Sequence, residues 1–188
     1  MTRFFAALSL VALLASPAAA YRATAVDAQP EGPLHSVSVT LSPLHLVLPV
    51  LELQGEFAVG PQMGVSLILG YGSVSVSDGF TTEAFSVFEI GGQFAYYALG
   101  DFDHGLQIGA EVLYLGVSAD ADSQFGGVFG RGLSLAPFVG YKVAADFGLT
   151  FQAQVGPAFF VVSAESGTES EEQAAIGVML NLNLGWSF

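Results

Sequence analysis

Four carboxylates, Glu52, Glu56, Glu89 and Glu111, and one lysine, Lys142, stand within segments that are otherwise apolar, small or neutral. Paired buried carboxylates can carry out general acid and base chemistry. Interspersed with Gln54, Gln93, Gln107, Gln152, Gln154, Asn181 and Asn183, the same groups can instead satisfy one another as a hydrogen-bonded filling. The second reading is preferred, with Lys142 expected at its centre. Four acids against one base leave a charge excess, so Arg131 is expected to reach in from one end, or one acid to be neutral.

The chain has three histidines, which are the remaining candidates for chemistry. A serine, a histidine and an acid can transfer or hydrolyse an acyl chain. His35 precedes Ser36, His104 lies in a predicted turn, and His45 stands near Ser42 beside an apolar connection. A histidine followed two residues later by serine, the pattern of acyl hydrolases of this size, is absent, so no catalytic residue is expected. The stretch Asp101-Phe102-Asp103-His104-Gly105 opens like a calcium loop, yet it lacks the next acid, the correctly placed glycine and the closing glutamate. A solvated turn is expected there, and no metal or cofactor is. Glu165, Glu169, Glu171 and Glu172 cluster in a predicted loop, where a solvated face is preferred to a cation bridge between loop and lipid phosphate.

The elements that position these groups read as strands. Punctuation by Gly, Pro, Asp and Ser leaves eight candidates, at 34–44, 50–59, 64–76, 84–99, 105–118, 132–144, 149–164 and 174–188. Side chains alternate faces along a strand. One parity carries residues such as Val39, Leu53, Leu67, Phe94, Ile108, Leu135 and Val155, and these glutamates, glutamines and Lys142 fall on the other. Turning a charge towards lipid at mid-depth costs about 2–4 kcal/mol, so the segregation is what a membrane-facing barrel demands. A soluble barrel or sandwich would place the apolar parity inside. The short connection 43–49, with Leu44, Leu46, Val47 and Leu48, either folds over the barrel mouth or extends a lipid-facing strand. In the third candidate strand the apolar phase changes after Tyr71, which predicts a bulge near Gly72.

Residues 1–20 combine Arg3, an apolar run and the small residues Ala18-Ala19-Ala20, the pattern of a cleaved secretory signal, and 21–33 read as a lead-in to a barrel over 34–188. The apolar run is shorter than the roughly 20 residues that a membrane-spanning helix needs. With no cysteine, disulfides are excluded. A formal charge of −13, with four basic residues against 17 acidic ones, excludes nucleic acid as a partner. Short turns alternate with longer polar loops, which predicts both termini on the periplasmic side of a bacterial outer membrane. Gly126, Gly127 and Gly130 predict mobility in the third outer loop, 119–131.

Aromatics on the outward parity fall in two groups. Phe57, Tyr96, Tyr141 and Trp186 lie towards the turn end, while Tyr71, Phe88, Tyr114 and Phe159 lie towards the loop end, as the girdles of two membrane interfaces would. The final segment alternates strictly and ends Leu184-Gly185-Trp186-Ser187-Phe188. On this segment and on the architecture of 34–188, the chain resembles the small eight-stranded outer-membrane proteins, the group of outer-membrane protein X and the membrane domain of outer-membrane protein A. The resemblance implies an all-β fold, an eight-stranded antiparallel up-and-down transmembrane β-barrel. It further implies that Trp186 and Phe188 form the signal read by the barrel-assembly machinery, and that outer-membrane lipid and lipopolysaccharide surround a monomer.

Such a barrel leaves a lumen that side chains can nearly fill, so a wide pore is not expected. The expected function is a non-enzymatic envelope protein with a filled lumen that contributes to envelope integrity or presents acidic loops to a partner. The alternatives are a conduit or binding site for a small hydrophobic molecule, suggested by the apolar connection, and a lipid-modifying enzyme dependent on His45.

Overall fold

Alternation with a period of two runs through nearly every segment between turn residues, and the chain follows it into strands. The structure, a computed structural model, describes residues 32–47, 49–77, 82–119, 129–166 and 169–188. Eight strands follow one another: β1 (Val37–Leu41), β2 (Val50–Gly60), β3 (Met63–Ser77), β4 (Thr82–Gly100), β5 (His104–Ala119), β6 (Phe129–Ala144), β7 (Leu149–Ser166) and β8 (Glu169–Ser187). Each pairs antiparallel with its neighbours in sequence, and β1 pairs with β8, so the sheet closes on itself without a crossover. Among the described residues there is no α-helix; one turn of 3-10 helix, His45–Val47, follows β1. The expectations for 1–31, including the signal and most of the lead-in, lie outside the described residues, as do Gly126 and Gly127.

Closure gives the molecule two ends. At the base, β1 begins, β8 finishes and three tight turns join β2 to β3, β4 to β5 and β6 to β7. Gly100 (φ 89°) and Gly148 (φ 106°) make two of these turns possible, because a Cβ at either would strike backbone or the Trp186 ring. The other end, the rim, carries the remaining connections.

Wall height is uneven. β1 has five residues, well short of the expected 34–44, because Pro43 and Pro49 cannot donate to a ladder and so end β1 and delay β2. By contrast β8 has 19 residues, pairs with β7 up to Ser166↔Glu169, and converts most of the predicted acidic loop into ladder. The predicted bulge at Gly72 is absent: β3 and β4 stay in register from Met63↔Tyr96 to Ser77↔Thr82. Above Gly72 β3 has lost its β2 neighbour, so inside and outside are no longer enforced there and the apolar phase is free to change. Register shifts lie instead at Ala58/Gly60 and Tyr97/Leu99, beside the base turns. Between β6 and β7 bridges lapse from Leu135↔Phe159 to Val139↔Val155, around Pro137 and Pro157, neither of which has an N–H to give.

The two faces of the sheet differ in kind. Leu53, Leu67, Phe94, Ile108, Leu135, Val155 and Leu184 are exposed outside, whereas Glu52, Gln54, Glu56, Glu89, Gln93, Gln107, Glu111, Lys142, Gln152, Gln154, Asn181 and Asn183 are buried inside. The buried apolar cluster is small: Ala95, Ala136, Phe138, Ala158 and Met179, with Phe160 against it.

Candidate functional site in the barrel interior

The base half of the lumen is filled by one connected polar network. Lys142 Nζ donates to Glu56 Oε2 and to Ser38 Oγ, both at 2.8 Å. Tyr97 Oη donates to the other Glu56 oxygen at 2.6 Å and accepts from Gln107 Nε2 at 3.1 Å. Gln152 and Gln154 both donate to Gln107 Oε1 at 3.0 Å, and Gln154 exchanges two amide bonds of 3.0 Å with Gln93. Gln54 donates to Gln93 and Ser66, and Asn183 donates to Gln54. At the top of this layer Gln93 (3.3 Å) and Asn181 (3.0 Å) donate to Glu111 Oε2. Every strand supplies at least one member, which ties the wall together across its diameter. Buried amides cost least when each donor finds an acceptor, and glutamines reach far enough to meet across the barrel.

The base is stoppered from below. The turn between β4 and β5 folds inwards, burying Phe102 under Lys142, whose Nζ lies 3.3 Å from the ring centroid, with the Tyr97 ring 5.9 Å away. Asp103 in the same turn binds the His35 ring at 2.8 Å and accepts from the Leu34 backbone N–H, while Asp101 accepts from the Asp103 and His104 N–H groups. The expected solvated turn is therefore corrected: an aromatic at its tip has an apolar and cationic seat inside the barrel, and the acids serve the backbone. Among the described residues no cluster of His, Cys, Asp and Glu has a metal-binding arrangement. Lys142, expected at the centre of the filling, lies in its base half because its neighbours in register are Gly105 and Gln152, close to the base turns.

The rim half is different. A cavity of about 390 Å³ has Glu89 and Glu111 among its lining, walls that include Leu113, Ala158, Phe160 and Met179, and Leu44 and His45 from the connection after β1. Leu44 and His45 face this cavity while Pro43 and Val47 lie against the outward Phe151 and Leu184, so the described part of 43–49 extends no strand and sits across the edge of the wall. Glu89 is 5% exposed, and its Oε2 has no hydrogen-bond partner among the described residues.

His45 Nδ1 lies 3.0 Å from Ser42 Oγ and 3.3 Å from Glu52 Oε1. Hydrogen bonding to Glu52 raises the imidazole above its ordinary value of 6.5, burial opposes this, and the charges of Glu52, Glu89 and Glu111 add to the rise. A nucleophilic relay needs serine on one ring nitrogen and acid on the other. Here both share Nδ1, and Ser42 is buried. The ionisable base beside Glu52 in the rim half is thus His45; Arg131, expected to reach in, is exposed on the parity of Leu133 and Leu135 near the rim. That parity was readable in the sequence. Tyr97 was equally readable, being in phase with Gln93; Phe102 was not, because a turn has no parity.

On the outer surface, Phe57, Tyr96, Tyr141 and Trp186 are exposed towards the base, and Tyr71, Phe88, Tyr114 and Phe159 towards the rim, with Tyr71 and Phe88 direct cross-strand partners. Phe188 accepts at its backbone oxygen from the Ser36 and Val37 N–H groups, closing the seam between β1 and β8. No protein-family model, curated protein or solved structure matches the chain.

Proposed function

We propose that the chain is a monomeric outer-membrane β-barrel of a Gram-negative envelope, of the kind represented by the small eight-stranded outer-membrane proteins. It is non-enzymatic and closed to solutes at its base. Residues 1–20 are its secretory signal, the barrel-assembly machinery inserts it, both termini lie in the periplasm, and it contributes to envelope integrity among outer-membrane lipid and lipopolysaccharide. The observation that carries this reading is the inversion of the sheet: apolar side chains cover the outside while ionisable ones fill the inside. Contiguous apolar surface on this scale is foreign to soluble monomers, and lipid is the solvent that suits it. The sharing of Nδ1 by Ser42 and Glu52 argues for a scaffold over an enzyme.

The test is expression of the full chain in a Gram-negative host. The reading expects a band in the outer-membrane fraction that shifts on heating in detergent gels, is processed after residue 20, and gives no steady conductance in planar bilayers. A processed chain that stays in solution without detergent would falsify it.

A further inference from the structure

The rim cavity is not enclosed by the wall. Met179 and Asn181 point inwards from β8, Val178 and Leu180 point outwards, and all four line the same cavity. In a complete sheet, residues of opposite parity cannot share a cavity. They share this one because, among the described residues, β8 has no neighbour on that side: β1 accompanies it from Ser187 to Leu184 and then stops, and β2 starts only at Val50. The consequence is visible in the outward residues of β8 itself. Leu184, beside β1, and Leu180, just past its end, are 44% and 47% exposed, like the rest of the outer face, whereas Val178 and Ile176, farther past that end, are 76% and 77% exposed. The connection after β1 leans across the gap, with Pro43, Leu44 and Val47 forming a second apolar hollow against Phe151, Leu182 and Leu184.

We propose that this half of the lumen binds a single-chain amphiphile with a cationic amine head, admitted sideways past the open edge of β8. The inference rests on the membrane reading above, since the gap then opens onto acyl chains. The head is assigned by the floor of the cavity. Glu111 already accepts two bonds from the network below it, and His45, the base in the same lining, has its Nδ1 on Ser42 and Glu52, whereas Glu89, 5% exposed and seated against Gly70, keeps one oxygen without a hydrogen-bond partner among the described residues. A buried carboxylate oxygen is costly until a donor reaches it, and an ammonium group brings up to three. A fatty acid would set like charges together. The tail is assigned by Leu113, Ala158, Phe160 and Met179, which rise from that floor towards the gap. About 390 Å³ is near the lower end of small-molecule sites, roughly 300–1,000 Å³, and selects one chain over two.

The experiment places the full chain in lipid nanodiscs with dodecylamine or dodecanoate, each bearing a diazirine in mid-chain, and maps the crosslinks by mass spectrometry. The amine should label cavity positions around Ala158 and Met179 on the order of tenfold more than the carboxylate does. Ala158→Phe should abolish that labelling, and the Glu89→Gln, Glu111→Gln double variant should lower it to the level of the carboxylate, each in protein that still shifts on heating. Equal labelling by both probes, indifference to Ala158→Phe, or crosslinks confined to outward positions such as Leu135 would overturn the proposal while leaving the membrane reading intact. Failure of the chain to enter the nanodisc would remove both.

Discussion

Glu56 and Glu89 are both inward-facing glutamates of one lumen, 2% and 5% exposed, and they live in opposite conditions. In the base half Glu56 has a partner on each oxygen, Lys142 on one and Tyr97 on the other. In the rim half Glu89 has an oxygen with none, and the groups beside it include apolar walls and an opening. Asn183 Oδ1 apart, the base half spends its polar groups on one another and becomes a floor. The rim half leaves polar valence and space together, which is the combination found in binding sites and not in cores.

The contrast breaks first at Lys142. Lys142→Met strands Glu56 in the interior and should lower stability by about 3–5 kcal/mol, read from urea unfolding in lipid vesicles through the fluorescence of Trp186. A fully stable variant would mean that the base is not held by this pair. Phe102→Ala should cost about 3 kcal/mol and, by unstoppering the base, produce conductance steps in planar bilayers where the native chain has none. A third measurement compares one substitution in both halves. Glu56→Gln should cost about 2 kcal/mol, whereas Glu89→Gln should leave stability unchanged or raise it; equal losses would erase the distinction between floor and site.

The smallest effect concerns His45. Its folded value lies above the ordinary 6.5 because of Glu52, so its contribution is complete below about pH 6.5 and is lost as pH rises through the raised value. The melting temperature should fall slightly over that interval, by the equivalent of less than about 1 kcal/mol. In His45→Gln the slope should flatten.

Parity made much of this legible from the sequence. A period of two assigns Glu52, Glu56, Glu89, Glu111, Lys142 and the glutamines to one face without any knowledge of partners, and it would have assigned Tyr97 inwards and Arg131 outwards had it been applied to them. What it does not reveal is height. That β1 stops at Leu41 follows from Pro43, but that Leu41 stands opposite Leu184, leaving the upper part of β8 with no described partner on that side, depends on stagger around the closed sheet. The gap and the cavity behind it are consequences of that stagger. Phe102 was hidden for a related reason, since its seat beneath Lys142 is made by strands far apart in the chain.

Closure itself has a cost in time. Ser38 and Ser187 share a hydrogen bond across 149 positions, and the seam they belong to has four paired residues on each side. No part of β1 can acquire its second neighbour before β8 has been synthesised and brought round, so the first strand to emerge is among the last to be secured. With four pairs against five or more at each other junction, this seam is where the cylinder is held by the fewest rungs.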